Sequence, residues 1–345
     1  MERKIWLMWT EEKLDTLLTI PSARLVEDIA KIKGDIMILG AGGKMGPMLA
    51  LLAKNAVMKA GIDKKIIAVS RFSDPAVLEL LHNGSVETIS SDLMVCGALD
   101  RLPDCANIIF MAGRKFGTDG QEPFTWSMNA WLPALTAERF RESRIVVFSS
   151  GNIYPIVPAA SGGASEDIRP HAIGEYAQSV LARERIFEYG SLHYGTKVTL
   201  FRLSYAIALR YGVLYDIASK VYAEQPIALE NGCFNCIWQG DANELAIRSL
   251  ICAESPAKKL NVTGPEIVGV RWAAEEFGKR FGKTPAFIGV EAPDAYLENA
   301  SLCHQLFGYP TVTLRQMLDW QAEWILDGGS TLNKPTHFEE RKGSY

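Results

Sequence analysis

The chain has 345 residues, 48% of them hydrophobic, and a formal net charge of −4. That length supports a large core or two domains, while the acidic balance argues against a nucleic-acid partner, which usually demands a basic excess. The opening Met1-Glu2-Arg3-Lys4 lacks the apolar core of a secretory signal, and no apolar run reaches the ~18 residues of a membrane helix, so a cytoplasmic protein without a membrane partner is expected.

Residues 1–34 read as a helical arm, with Thr10 and Ser22 as the two helix caps. Ile36-Met37-Ile38-Leu39 is a buried-type strand that runs into a glycine cluster. A helix over 48–59 and a strand over 65–70 follow. Strands are then expected over 86–93, 107–111, 144–149 and 196–203, with helices over 131–140 and 176–187. This alternation predicts an α/β fold, a Rossmann-type doubly wound parallel sheet spanning 35–205. From 206 to 329 the pattern loosens, with helices over 237–251, 270–281 and 314–326. That smaller C-terminal region is assigned mainly to substrate binding. Gly328-Gly329 opens a polar tail, 330–345, with the composition of a mobile terminus. Arm and tail could reach a partner subunit, although nothing in their composition requires it. The cysteines are scattered, and the CxxC at Cys233 and Cys236 has no second pair to complete a zinc site. No metal is expected.

The glycine cluster carries the first functional signal. Gly40, Gly43 and Gly46 form GxxGxxG, with Lys44 and Met45 inside the loop; the commoner GxGxxG fails because Met45 takes its last position. Between a strand and a helix, such glycines allow a tight turn and a close backbone approach to a pyrophosphate, and the helix N-terminus offers N–H groups to the anion. A dinucleotide cofactor is therefore expected. The second strand ends Val69-Ser70-Arg71. Serine stands where an acid would hold the ribose 2′-hydroxyl of NAD, and arginine can pair with a 2′-phosphate, so NADP is favoured. Asp74 keeps NAD open if its loop bends back.

With these residues in place, the chain resembles the extended short-chain dehydrogenase/reductase family, the NAD(P)-dependent epimerases and dehydratases, from about residue 35 to 325. Ser91-Asp92-Leu93 looks like the stretch whose acid contacts the adenine amine. Phe110-Met111-Ala112-Gly113-Arg114-Lys115 looks like the strand end beside the cofactor. Phe148-Ser149-Ser150 with Ile153-Tyr154 resembles the catalytic-serine strand, and the spacing to Tyr154 selects Ser150. Asn235 to Asp241 and Asn261 to Gly264 resemble later family stretches. The resemblance implies a cofactor site of Gly40, Gly43, Lys44, Met45, Gly46, Ser70, Arg71, Asp92, Leu93, Ala112, Gly113 and Lys115. It also implies a homodimer.

The chain departs from the family at the catalytic helix. Tyr176 is in place, but Val180 holds the lysine position of YxxxK, and no YxxxK occurs anywhere. The family's lysine holds the nicotinamide ribose and lowers the tyrosine pKa, and valine does neither. Three groups could compensate: Lys115 after the fourth strand, Arg183 two helical turns beyond Tyr176, and His171 as an acid–base near neutral pH. The catalytic candidates are thus Ser150, Tyr176, Lys115 and His171. Candidate substrate contacts are Ser150, Asn152, Tyr205 and Arg210, with Tyr205 standing where sugar-nucleotide enzymes often carry asparagine. The expected function is an NAD(P)-dependent oxidoreductase or epimerase acting on a secondary hydroxyl or ketone of a sugar-like or hydroxy-acid small molecule. The alternative is a non-catalytic NAD(P)-binding sensor or assembly protein that has lost the lysine.

Overall fold

A computed structural model describes residues 8–115, 120–334 and 336–343. Strand β1 (Ile36–Leu39) is buried at every position. Its alternate residues go to opposite faces, as the pleat requires: Ile36 and Ile38 join one core cluster, Met37 and Leu39 the other. A strand apolar on both faces needs a covering layer on each side. The remaining strands of the central sheet are β2 (Ile66–Ser70), β3 (Glu87–Ser90), β4 (Asn107–Phe110), β5 (Arg144–Ser150), β6 (Lys197–Leu203) and β7 (Lys258–Val262). Among the described residues they form one seven-stranded sheet in the order β7-β6-β5-β4-β1-β2-β3, with every neighbouring pair parallel. The last edge strand comes from beyond residue 205, so the C-terminal part of the chain completes the sheet.

The helices in chain order are α1 (Glu11–Thr19), α2 (Ala23–Lys31), α3 (Gly46–Ala60), α4 (Pro75–Asn83), α5 (Glu122–Trp126), α6 (Leu132–Arg139), α7 (Gly174–Tyr194), α8 (Val213–Tyr222), α9 (Gln239–Arg248), α10 (Val270–Phe281), α11 (Ser301–Phe307) and α12 (Leu314–Leu326). A π turn, Ser127–Trp131, joins α5 to α6. Helices α1, α2, α3 and α9 pack over the Ile36/Ile38 face. Leu132 and Ala137 of α6 and Phe187 of α7 cover the Met37/Leu39 face. No described helix is long and apolar enough to cross a membrane.

The helix starts expected in the arm are present: Thr10 accepts from the Lys13 N–H at 3.1 Å and Ser22 from the Leu25 N–H at 3.1 Å. The arm is no appendage, because Leu14, Leu18, Leu25 and Ile29 lie in the main core. Asp28 receives Arg248 Nε at 2.8 Å, and the Ser22 hydroxyl donates to Glu244 at 2.7 Å. The helix expected over 237–251 starts at Gln239, since Ile237 and Trp238 pair instead with Ala206 and Ile207. Helix α7 runs on to Tyr194, where Gly195 at φ +74° ends it. The tail also differs from its composition. Phe338 is buried, Thr336 N–H donates to Asp216 at 2.8 Å, and Asn231 donates to the Phe338 carbonyl at 2.7 Å.

Leu25→Ala should cost about 2–5 kcal/mol through the cavity it leaves. Urea unfolding should show the loss in the main transition, whereas a separate arm would leave that transition unmoved.

Candidate active site

The strand order reverses between β1 and β4, where an open α/β sheet forms its ligand crevice. A cavity of about 430 Å³ lies there, lined by loops that leave β1 to β4: Gly40, Gly42 and Gly43, then Ser70 to Asp74, Ser91 to Met94, and Met111 to Gly113. Three of the loop's four glycines are sterically required, and the exception is Gly43, where a Cβ would meet only the Gly40 carbonyl oxygen at 3.5 Å. Gly40 sits at φ +91°, and a Cβ there would lie 2.6 Å from the Ala112 nitrogen. A Cβ on Gly42 would lie 2.5 Å from Ser70 Oγ, and one on Gly46 would strike the Ala41 backbone. Helix α3 starts at this loop with no side chain capping it, and Pro47 in its first turn has no N–H, so its positive dipole end lies at the glycine loop. This cradle fits a pyrophosphate. Ser70, Arg71, Asp74, Asp92, Leu93, Ala112 and Gly113 all line the cavity. Asp74 is engaged locally, capping α4 through the Ala76 N–H at 3.0 Å. Among the described residues no group of three His, Cys, Asp or Glu is placed to hold a metal ion.

Lys44 points toward the C-terminal region. Its ammonium lies 3.4 Å above the Tyr211 ring and donates to the Ala206 carbonyl at 3.2 Å. Burial, then the charges of Lys115 and Lys334, hold its pKa well below the usual lysine range. Arg210 lines the adjoining cavity of about 420 Å³, but its guanidinium is committed to Glu11 at 2.7 Å and to Asp15. The expectation that it holds a substrate anion meets a charge already neutralised by the arm.

Consecutive serines at the end of β5 point opposite ways, as a strand dictates. Ser149 Oγ donates to Glu184 at 2.6 Å. Ser150 Oγ donates to Asn152 Oδ1 at 2.9 Å, accepts from the Asn152 N–H at 3.2 Å, and lies beside the Tyr176 hydroxyl. Burial raises the Tyr176 pKa, and the nearby Ser150 hydroxyl and the Arg183 charge oppose that rise.

The lysine position is closed. Val180 is buried with Ile153, Tyr154 and Ala164. Positive charge reaches Tyr176 from elsewhere. The Lys115 ammonium lies 5.7 Å from the Tyr176 ring centre, and burial brings its pKa down to about 8. Arg183 is buried one turn beyond Val180, donating to the Phe148 carbonyl at 2.7 Å and to Asn129 at 2.6 Å. Its pKa is lowered to about 10 by burial. A side chain at Gly113 would collide with this guanidinium. His171 is exposed on the preceding loop, tied by its backbone N–H to Ile153 at 2.8 Å. Tyr205 follows β6 at φ +41°, edge-on to Phe234.

Asn129 is a site residue that the sequence reading missed. It lies in the π turn, accepts from the Arg114 N–H at 2.9 Å, and donates to the Arg114 carbonyl at 2.8 Å and to Ser179 at 3.0 Å. It thereby fixes the loop carrying Lys115 to helix α7. A π turn leaves no spacing signature to find beforehand. Glu184 and Arg202 were missed as well. Both are fully buried and meet at 2.7 and 2.9 Å, and Arg202 also donates to the Tyr154 hydroxyl at 2.5 Å.

No family model and no curated protein sequence matches the chain. Solved structures do. UDP-glucuronic acid 4-epimerase from Bacillus cereus, in complex with NAD, aligns with a TM-score of 0.70 at 16% identity, over 85% of this chain and 98% of that one. MoeE5 with UDP-glucose and NAD gives 0.68 at 19% identity, over 86% and 99%. The Bordetella bronchiseptica enzyme WbmG with NAD and UDP gives 0.70 at 18% identity, over 87% and 96%. The chain has the fold of these NAD-bound proteins across nearly their whole length.

Glu184→Gln should destabilise the protein by about 3–5 kcal/mol, because Arg202 is left buried and unpaired; urea unfolding checks this. Lys115 is charged below its lowered pKa and neutral above it. Attraction for an anionic cofactor is therefore present at neutral pH and lost as pH rises through about 8. NADH or NADPH affinity measured across that range should fall in the wild type and fall less in Lys115→Met.

Proposed function

We propose that this protein is an NAD(P)-dependent oxidoreductase or epimerase acting on a secondary hydroxyl, or the corresponding ketone, of a sugar-like or hydroxy-acid small molecule. One observation carries the reading: Ser150, at the carboxyl end of β5, lies beside Tyr176 closely enough to act on its hydroxyl, at the same end of the sheet as the glycine cradle. The residues of the cradle would hold the dinucleotide, which supplies a hydride acceptor and donor when bound. Ser150 orients the reacting oxygen by donating a hydrogen bond. Tyr176 exchanges the proton of that oxygen. A phenol kept neutral by burial is suited to giving a proton up to a forming alkoxide and taking it back. Lys115 and Arg183 supply the positive potential that the family draws from the missing lysine.

NADP is favoured over NAD by Ser70 and Arg71, which line the crevice where the adenosine ribose would lie. Asp74 lines the same wall, and the structural neighbours were solved with NAD. A fluorescence titration with NADPH and NADH side by side decides the matter. NADPH should bind more tightly, and Arg71→Ala should remove most of the difference; tighter NADH binding would reverse the assignment.

Sugar nucleotides are the first substrates to offer, because the neighbours were solved with UDP, UDP-glucose and UDP-glucuronic acid. Tyr176→Phe should lower turnover by roughly 10²–10⁴-fold while cofactor affinity stays unchanged. Undiminished turnover in that variant would sink the assignment. The second reading, a dinucleotide-binding protein without chemistry, is motivated by Val180. It requires tight cofactor binding in the wild type with no hydride exchange to any hydroxy or keto compound.

A further inference from the structure

A cavity of about 620 Å³ lies at the opposite end of the sheet from the glycine loop, at the amino ends of β4, β5 and β6. Its lining carries five cations, Lys31, Lys33, Arg141, Arg144 and Lys197, against one carboxylate, Glu142. The chain as a whole has a net charge of −4, so positive charge is gathered here against the balance of the rest. Asn107 and Arg144 are register partners on adjacent parallel strands, and so are Arg144 and Lys197. Their side chains therefore leave the sheet on one face, from strands about 5 Å apart. The Asn107 amide donates to the Lys33 carbonyl at 2.8 Å, and the Thr196 hydroxyl donates to the Arg141 carbonyl at 2.7 Å. Both bonds fix the flanking loops to the strand ends.

Helices α2 and α7 end at this cavity, and cations near helix carboxyl ends offset the dipole. That accounts for part of the charge. Lys31 pairs with Asp28 at 2.9 Å, and Arg144 gives its guanidinium to the Leu250 and Ala253 carbonyls at 3.4 and 3.2 Å. It does not account for Lys33 and Lys197, which have no ion pair among the described residues, or for Arg141, which reaches only the exposed Glu142 at 3.7 Å. Like charges held together without counter-charges repel, and a bound anion relieves them. Tyr194 also lines the cavity, 39% exposed, with the Arg141 guanidinium 5.8 Å from its ring centre. Asn107 is 1% exposed, and its Oδ1 has no hydrogen-bond partner. We propose that this cavity is a second ligand site, which takes a small nucleoside polyphosphate. The phosphates lie on Lys33, Arg141, Arg144 and Lys197, the base on the Tyr194 ring, and an N–H or O–H of the nucleoside on Asn107 Oδ1. The volume is that of a small-molecule pocket. A long polyanion would run out of the cavity onto an acidic chain, which disfavours a nucleic acid. The site is separate from the dinucleotide crevice and does not depend on the oxidoreductase reading. Strand β5 joins the two, with Arg144 as its first residue and Ser150 as its last.

The test is calorimetric titration of the full chain, with the crevice first saturated by NADPH, or by NADH where that binds more tightly. ADP and inorganic tripolyphosphate are the separate probes, and each should bind at a single site. Lys33→Met and Lys197→Met should each weaken both probes by ~10–100-fold, the loss of one charge-assisted hydrogen bond. Both lysines are exposed, and unchanged cofactor affinity shows that the variants are folded. Tyr194→Ala should weaken ADP by roughly tenfold through lost stacking and leave tripolyphosphate unmoved. ADP that binds only when the dinucleotide is absent overturns the inference, because it is then entering the crevice. Failure of both probes to bind overturns it, as does equal affinity in the wild type and the two lysine variants. Unchanged ADP affinity in Tyr194→Ala overturns the assignment to a nucleoside, and tighter binding of a short single-stranded RNA than of ADP overturns it in favour of a nucleic acid.

Discussion

Arg202 on β6 and Glu184 on α7 are both removed from water, and neither could be there without the other. The guanidinium presents two N–H groups to the two carboxylate oxygens, and the arrangement fixes α7 over the sheet in rotation as well as in distance. Residue 183, next in line, therefore faces the carboxyl end of β4 and β5, where Arg183 binds the Phe148 carbonyl. Tyr176, two turns earlier on the same face, is brought to Ser150. The surplus hydrogen-bonding capacity of the pair is spent on the same region, since Ser149 donates to Glu184 and Tyr154 receives Arg202. Tyr154 passes the constraint to Asn261 at 2.8 Å, on the edge strand from the C-terminal part of the chain. One buried ion pair thus ties helix α7, strand β5 and the sheet edge together.

The same geometry closes position 180 and brings positive charge near Tyr176 from other positions. A long cation at position 180 would have to leave a cluster made by Ile153, Tyr154 and Ala164, whose close packing now depends on valine. Arg183 delivers its charge from one turn further along the helix, beneath a loop made thin by Gly113. An arginine keeps its proton where a lysine would surrender it, so it can set a potential at Tyr176 without exchanging protons. Lys115, arriving from the β4 loop, is the complementary case. Burial has brought it close to neutral pH, where its charge responds to what binds nearby.

Much of this was legible in the sequence because the relevant signals are local. A strand, three glycines at fixed spacing and a helix are contiguous, and the doubly wound sheet follows from the alternation of apolar runs. Ser150 and Tyr176 were legible through their motif contexts. What escaped depends on meetings between distant segments. Nothing near Glu298 in sequence announces that its buried carboxyl lies against Gly151 and its backbone against Gly163. Asn129 is a helix residue by every local measure, and only a π turn aims it at Arg114 and Arg183. Arg210 failed for the opposite reason: its setting suggested a substrate anion, but the acids that meet it lie about 200 positions away in the arm. The tail was misjudged because composition counts polar residues, whereas a single Phe338 in the core and a few backbone hydrogen bonds are enough to hold a terminal segment down.

The course of that tail bears on access to the site. Leu332 N–H donates to the Arg210 carbonyl at 3.1 Å, and Lys334 stands near Lys44 at the cradle. Thr336 then binds Asp216, Phe338 enters the core, and Arg341 binds the Asp294 carbonyl at 2.7 Å. Gly343 finally packs against Gly174, two residues before Tyr176. The segment therefore begins beside the glycine loop and ends beside helix α7, with Glu339 near enough to Tyr205 to add to the rise that burial gives its pKa. Leu332 and Lys334 of this segment line the cavity beside the glycine loop together with Arg210, which the arm holds through Glu11 and Asp15. Segments outside the glycine-motif core thus pack against both ends of the crevice, although no motif in the sequence marks them.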